Sequence, residues 1–342
     1  MNRSIEPDFD AIIPREETCS SKWIKYKGRD IIPLWVADMD FRAPEPVIAA
    51  LHRRVEHGIF GYTKPSPELL DVIVERMSRL YDWQIEAGDI TFLPGVVSGL
   101  NLACRAFCTE DQSVFTAVPI YPPFRSAPGF SQRNIRTCDA EMIDGRWSFP
   151  VNGMKKALES GNIGLHEFCS PYNPLGRRFD REELETIAGL CVQHGTVICS
   201  DEIHCDLLFD GKSHIPTATL NREVKELTVT LMAPSKTFNI AGLGASFAII
   251  QNRELSQRFR RQMKGIMPDV NLLGYEAMLA AYRDSDDWYQ ALIRYLQSNR
   301  DLLYREINAM PGISVNYVEA THLAWLDVRA LELDDPMTFF ED

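Results

Sequence analysis

The sequence has no CxxC pair among its eight cysteines, which argues against a zinc site or a disulfide framework. It also has no uninterrupted apolar stretch long enough to cross a bilayer, and Met1-Asn2-Arg3-Ser4-Ile5-Glu6-Pro7-Asp8 contains no apolar core of a secretory signal. A cytoplasmic protein with reduced thiols buried as small hydrophobes is therefore expected, for instance Cys199 in Val197-Ile198-Cys199. Positive charge is in deficit, with 36 Lys and Arg against 48 Asp and Glu and a net charge of −12. That balance disfavours nucleic acid or an anionic membrane surface as a partner and leaves small metabolites. Neither GxGxxG nor a P-loop occurs, and no repeat, low-complexity tract or long charge block is found.

What is present is the composition of an ordinary globular chain, 45% hydrophobic and 25% charged, in 342 residues. That length suits one large domain plus a smaller one. Helical spacing of Leu69, Leu70, Ile73, Val74, Met77 and Leu80 predicts a helix over 68–81, with Pro67 at its start. Strands are predicted at 90–93, 114–117, 165–169, 196–200, 228–232 and 245–250, with a helix over 97–106. Asp180 with Glu183 caps another helix that ends at Gly195. Strands mixed with helices in this way predict an α/β sheet covered on both faces, with ligands at the carboxyl ends of its strands. A long helix over 287–310 and antiparallel strands at 313–317 and 322–327 predict a second, smaller unit.

Polar groups follow several of those strands. Pro94-Gly95-Val96-Val97 opens a helix whose free N–H groups could hold a phosphate, or is simply a tight turn. Tyr121, stiffened by Pro119, Pro122 and Pro123, could stack on a flat ring or pack on the surface. Asn173 lies between Pro171 and Pro174 in a turn that could be a binding loop or a plain one. Asp201 ends an apolar strand, where its charge needs a cation or donors, and His204 either orients it or packs. Lys236, in Ala233-Pro234-Ser235-Lys236-Thr237-Phe238-Asn239, has neighbours unlike those of a surface lysine and suits a Schiff-base amine. A phosphate cradle, a stacking ring, a donor to a phenolic oxygen, an acid for a pyridine nitrogen and an amine for an aldehyde together describe pyridoxal 5′-phosphate.

With these motifs in order, the sequence resembles the fold-type I pyridoxal-phosphate enzymes of the aminotransferase class I/II superfamily, and most closely the MalY/PatB-type cystathionine β-lyases. The resemblance also rests on Pro33-Leu34-Trp35-Val36-Ala37-Asp38-Met39-Asp40-Phe41, Phe60-Gly61-Tyr62-Thr63 and Ser200-Asp201-Glu202-Ile203-His204. It implies a mainly parallel seven-stranded sheet with helices on both faces, plus a smaller α+β domain. The large cofactor domain would span 46–285, and the small one would draw on 1–45 and 286–342. By the same resemblance Lys236 is the Schiff-base lysine and α-proton base, with Tyr121 stacked on the ring as its catalytic companion. Asp201 partners the pyridine nitrogen, Asn173 and His204 belong to the cofactor site, and Gly95, Val96, Val97 and Ser235 cradle the phosphate. Tyr62 reaches the site from the other subunit of a homodimer, Trp35, Ala37 and Asp38 line the substrate side, and no metal is involved.

Two departures qualify this. No Arg-x-Asn stretch, the family's usual holder of the substrate α-carboxylate, is present, and the sequence reads as a small domain cut short. Position 244, eight after Lys236, is Gly rather than the phosphate-binding Arg of aspartate-type aminotransferases. The expected activity is a C–S β-lyase acting on cystathionine or a related cysteine S-conjugate. An aminotransferase, or a non-catalytic regulatory or inactive homologue, are the competing readings.

Overall fold

The computed structural model describes residues 7–341, so the reading of Met1 to Glu6 and of the chain end at Asp342 lies outside the described residues. Eleven strands occur among them: β1 (Ile90–Leu93), β2 (Ser113–Val118), β3 (Asn134–Asp139), β4 (Glu141–Ile143), β5 (Arg146–Ser148), β6 (Ile163–Cys169), β7 (Val197–Asp201), β8 (Thr228–Met232), β9 (Ser246–Ile249), β10 (Ser314–Val315) and β11 (Leu326–Asp327). Seven form one sheet in the order β1-β9-β8-β7-β6-β2-β3, while β4-β5 and β10-β11 are separate hairpin-like pairs. Within the large sheet β9 alone runs against its neighbours, and β3, β2, β6, β7 and β8 are mutually parallel.

Strands β6, β7 and β8 are buried at every position, because helices cover both faces. Alternate residues of each strand feed two cores. In β9, Ala248 packs into one while Phe247 and Ile249 pack into the other. Six of the seven strands coincide with the sequence expectation. The seventh, β3, reads Asn-Ile-Arg-Thr-Cys-Asp, is largely exposed at the sheet edge and so carries no hydrophobic signature.

The helix signals act as expected. Ser66 accepts the Leu69 N–H at the start of the helix Pro67–Tyr81. Both halves of the Asp180–Glu183 capping box form, and Gly195 closes that helix in the left-handed conformation. The long helix runs Asp286–Ile307.

The expected strand pair beyond that helix is shorter than its pattern. Only Ser314–Val315 and Leu326–Asp327 pair, because the chain between them is stitched to the large sheet's loops. Glu319 and Ala320 donate their N–H groups to the Gly176 carbonyl at 2.8 and 3.0 Å, and Thr321 donates to the Leu207 carbonyl at 2.7 Å. The Glu319 carboxylate receives Arg146 at 2.7 and 3.0 Å. Gly176 makes this junction possible: its φ is +65°, and a Cβ there would sit 2.8 Å from Val318 Cγ1. Gly176→Ala should therefore lower stability by at least ~1–2 kcal/mol, from the left-handed backbone alone. Equal denaturant midpoints for wild type and variant would contradict this.

Candidate active site

Because β2, β6, β7 and β8 are parallel neighbours, the segments that follow them gather on one edge of the sheet. Lys236 lies four residues beyond β8 in a tight loop, where Phe238 donates to the Pro234 carbonyl and Ile240 to that of Ser235. Its Nζ donates to the Ala37 carbonyl at 2.7 Å. Burial lowers its pKa below the ordinary lysine value, against the opposing pull of Asp38 and Asp201. This is the condition under which a lysine amine becomes a usable nucleophile and base.

Asp201 is the last residue of β7 and only 4% exposed. Burial pushes its carboxyl up to about 7, against the Ile203 N–H that it accepts at 3.1 Å and the charge of Lys236. Asn173 follows β6 between two cis peptide bonds, Ser170–Pro171 and Asn173–Pro174. Its Nδ2 faces His204 Nε2 at 3.5 Å, so His204 is directed to Asn173 and the Ile203 N–H is what steadies Asp201. Burial keeps His204 well below the usual histidine pKa and hence neutral. Tyr121 is 42% exposed, and burial and then the nearby Asp201 charge raise its phenol pKa.

Gly95 immediately precedes the helix Val96–Phe107, whose first N–H groups have no partner within the helix. Val97 is exposed and Ser235 half-buried. Tyr62 is fully exposed, in a stretch without regular secondary structure before the helix at Pro67. Position 244 has a structural reason to be glycine: its φ is +58°, and a Cβ would lie 3.1 Å from the Pro94 carbonyl.

The Trp35–Asp40 segment is fixed by residues with no sequence signal of their own. Arg15 forks onto Asp38 at 2.9 and 3.0 Å and reaches Asp40 at 2.7 Å. Buried Lys22 bonds Asp40 at 2.6 Å and the Asp38 carbonyl at 2.9 Å, and its own carbonyl accepts Trp35 Nε1 at 3.1 Å. From the other side Asn239 donates to the carbonyls of Met39 and Phe41 at 2.9 and 2.7 Å. Isolated charges in a polar stretch look solvated in sequence, and only the fold brings them onto Asp38 and Asp40.

Residues 29–341 match the family model described as aminotransferase class I and II. The chain belongs to that family. Cystathionine beta-lyase PatB of Bacillus subtilis (strain 168) is 36% identical over 334 residues, covering 96% of this chain and 86% of the relative. The crystal structure of OvoB is 45% identical, with a TM-score of 0.95 over 98% of this chain and 88% of that one. The pyridoxal-phosphate-bound C–S lyase of Staphylococcus hominis is 32% identical, with a TM-score of 0.91 over 98% of this chain and 88% of that one. The mixed seven-stranded sheet with helices on both faces is the fold of these family members.

Asp201 also yields a test that needs no turnover. A carboxyl whose native pKa is raised binds more protons folded than unfolded, so its contribution to stability falls as pH rises from about 4 to about 7. The cofactor-free wild type should lose stability relative to Asp201→Asn across that window. Parallel denaturation midpoints from pH 4 to 7 would contradict it.

Proposed function

We propose that this protein is a pyridoxal-phosphate-dependent carbon–sulfur β-lyase that cleaves L-cystathionine or a related cysteine S-conjugate to a thiol, pyruvate and ammonia. The observation that carries this is one pair on adjacent strand ends: a lysine with a lowered pKa beside a buried carboxyl raised to about 7. Such a carboxyl is what a protonated ring nitrogen would hold ionised, so the residues present fit the cofactor. The relatives named as cystathionine β-lyase and C–S lyase support the reaction class.

When bound, pyridoxal phosphate supplies an electron sink for the substrate's α-carbon. Lys236 would hold the cofactor through Nζ and would take the substrate's α-proton on the same atom. Asp201 would hold the ring nitrogen protonated, Asn173, with His204 beside it, would donate to the phenolic oxygen, and Tyr121 would stack on the ring. The N–H groups at Gly95, Val96 and Val97, together with Ser235, would hold the phosphate. Trp35, Ala37 and Asp38 line the substrate side. The β-sulfur departs with the bonding pair as a thiolate, and the remaining three-carbon fragment hydrolyses to pyruvate and ammonia.

The same reading divides the chain into a large unit over 46–285 and a smaller one from 1–45 and 286–342. It also makes the protein a homodimer in which Tyr62 of one copy reaches the phosphate of the other, a role its full exposure in a single chain leaves open to it. The reading places this metabolic enzyme in the cytoplasm; among the described residues no helix is long and apolar enough to cross a membrane. The test is an absorbance scan of the purified protein followed by product assay with L-cystathionine. Cofactor absorbance with equimolar pyruvate and ammonia is expected. Amino transfer to a keto acid without net ammonia would assign an aminotransferase instead, and the absence of cofactor absorbance would overturn both.

A further inference from the structure

Beside Lys236 lies a histidine that the reaction as described does not use. His322 follows Thr321, whose φ is +71° and whose N–H is anchored on the Leu207 carbonyl. Ala320, fully buried, is bridged to Leu208, so this turn is held on the loop that follows β7 rather than on the small strand pair. The His322 ring packs edge-on against His204, with centroids 5.8 Å apart. The residue as a whole is half-buried, but both of its ring nitrogens are shut off from solvent and neither has a hydrogen-bond partner in the protein.

The groups around it define what it faces. Burial, then Lys236 and Lys22, lower its pKa to about 4, while Asp38 and the Ala37 carbonyl act in the opposite direction. His322 thus lies near Lys236, Asp38 and the Ala37 carbonyl as a neutral imidazole, with neither ring nitrogen in a hydrogen bond of normal geometry. That carbonyl already accepts Lys236 Nζ at 2.7 Å. Buried polar atoms without partners are uncommon in folded proteins, and in a binding site they are completed by what binds there. The cofactor's polar atoms have other candidates, namely Lys236, Asp201, Asn173, Ser235 and the helix start at Gly95. A neutral ring is also a poor match for an α-carboxylate, which is held best by a cationic fork.

We propose that His322 is a specificity-determining residue: its ring hydrogen-bonds a polar group on the substituent attached to the substrate's sulfur. The site then prefers cysteine S-conjugates with hydrogen-bonding substituents over simple S-alkyl cysteines, an inference that rests on the lyase reading above. A site built on unpaired hydrogen-bonding groups discriminates strongly against ligands that leave those groups unpaired.

The test compares holoenzyme wild type, His322→Phe and His322→Gln on L-cystathionine, with its charged distal groups, and on S-ethyl-L-cysteine. His322→Phe should lower kcat/KM for cystathionine by about 10–100-fold, as for a lost hydrogen bond to a charged group, and change that for S-ethyl-L-cysteine by less than about threefold. His322→Gln, which keeps a donor and an acceptor, should recover most of the loss. Equal losses on both substrates, no loss on either, or no recovery with Gln would overturn the proposal, since a merely structural role cannot separate the two substrates. If wild type makes no pyruvate from either, the lyase reading fails on its own. Calorimetric binding of both amino acids to Lys236→Ala and Lys236→Ala/His322→Phe holoproteins then decides. Weaker binding of cystathionine alone upholds the role of His322, and unchanged or equally weakened binding overturns it.

Discussion

Replacing Lys236 with alanine should lower the rate of pyruvate formation from cystathionine by at least ~10⁴-fold while leaving the fold intact. Proton transfer by a well-placed side chain is worth ~10²–10⁴-fold, and on the proposed reading the same amine would also carry the cofactor, so the losses would compound. Three features make Lys236 the amine concerned: burial lowers its pKa, its Nζ is directed to the Ala37 carbonyl, and Asp201 acts on it electrostatically. Arginine is no substitute, because a guanidinium does not release its proton at any working pH. Lys236→Arg should be as inactive as Lys236→Ala. Mass spectrometry after borohydride reduction separates chemistry from folding: wild type should gain the cofactor's mass on the peptide containing Lys236, and neither variant should gain it. Circular dichroism of the variants should match wild type, and pyruvate formation by Lys236→Ala within tenfold of wild type would refute the assignment.

The second large effect is on stability, at Asp206. Asp206 and Arg76 form an ion pair at 2.6 Å with side chains only 4% and 5% exposed. Burial pulls the Arg76 pKa down, and Asp206 with its neighbours more than restores it. The second Asp206 oxygen accepts Thr237 Oγ1 at 2.9 Å, and the Asp206 carbonyl accepts the Tyr289 hydroxyl at 2.8 Å. One carboxylate thus neutralises a buried cation and pins the residue next to Lys236. Asp206→Ala leaves the Arg76 guanidinium buried and unpaired and should cost ~3–5 kcal/mol of folding free energy, measured by chemical denaturation. Removing both charges together, as Arg76→Met/Asp206→Leu, should cost less than the sum of the single changes, because no lone charge remains buried. A loss below ~1 kcal/mol for Asp206→Ala would show that water reaches Arg76 in the folded state. At the site, a Thr237 released from Asp206 should loosen the Lys236 loop and lower kcat even under conditions where the variant stays folded.

Neither Asp206 nor Arg76 stands out in the sequence, and the reason is general to this fold. A motif is legible when the residues that act together are adjacent in sequence or follow a strand whose own pattern is clear. Asp201 and Lys236 meet that condition, since each closes or follows a run, Val197–Ser200 or Thr228–Met232, that is rich in apolar and β-branched residues and free of charge. Arg76, by contrast, lies 130 residues from Asp206 on the helix Pro67–Tyr81, where a lone arginine reads as part of a solvated face. Arg15 and Lys22 were hidden in the same way until the fold set them on Asp38 and Asp40. Strand β3 escaped notice for a different reason, because an exposed edge strand has no core to face and therefore no alternation to read.

The segment after the long helix shows the limit most plainly. Its pattern predicts two strands, yet Glu319, Ala320 and Thr321 bond instead to Gly176 and Leu207, and the turn they make delivers His322 to the site. Hydrophobic spacing specifies which residues prefer burial but not which distant backbone groups will meet them. The sequence by itself determined the element types, the alternation of strands and helices and the polar residues that follow the strands, because these depend on local periodicity and side-chain chemistry. The tertiary structure alone decided how Asp201 and Lys236 share an edge of the sheet, in which direction burial shifts their proton affinities, and that His322 packs against His204 with its ring nitrogens unpaired. Desolvation and long-range pairing exist only once the chain has closed around them.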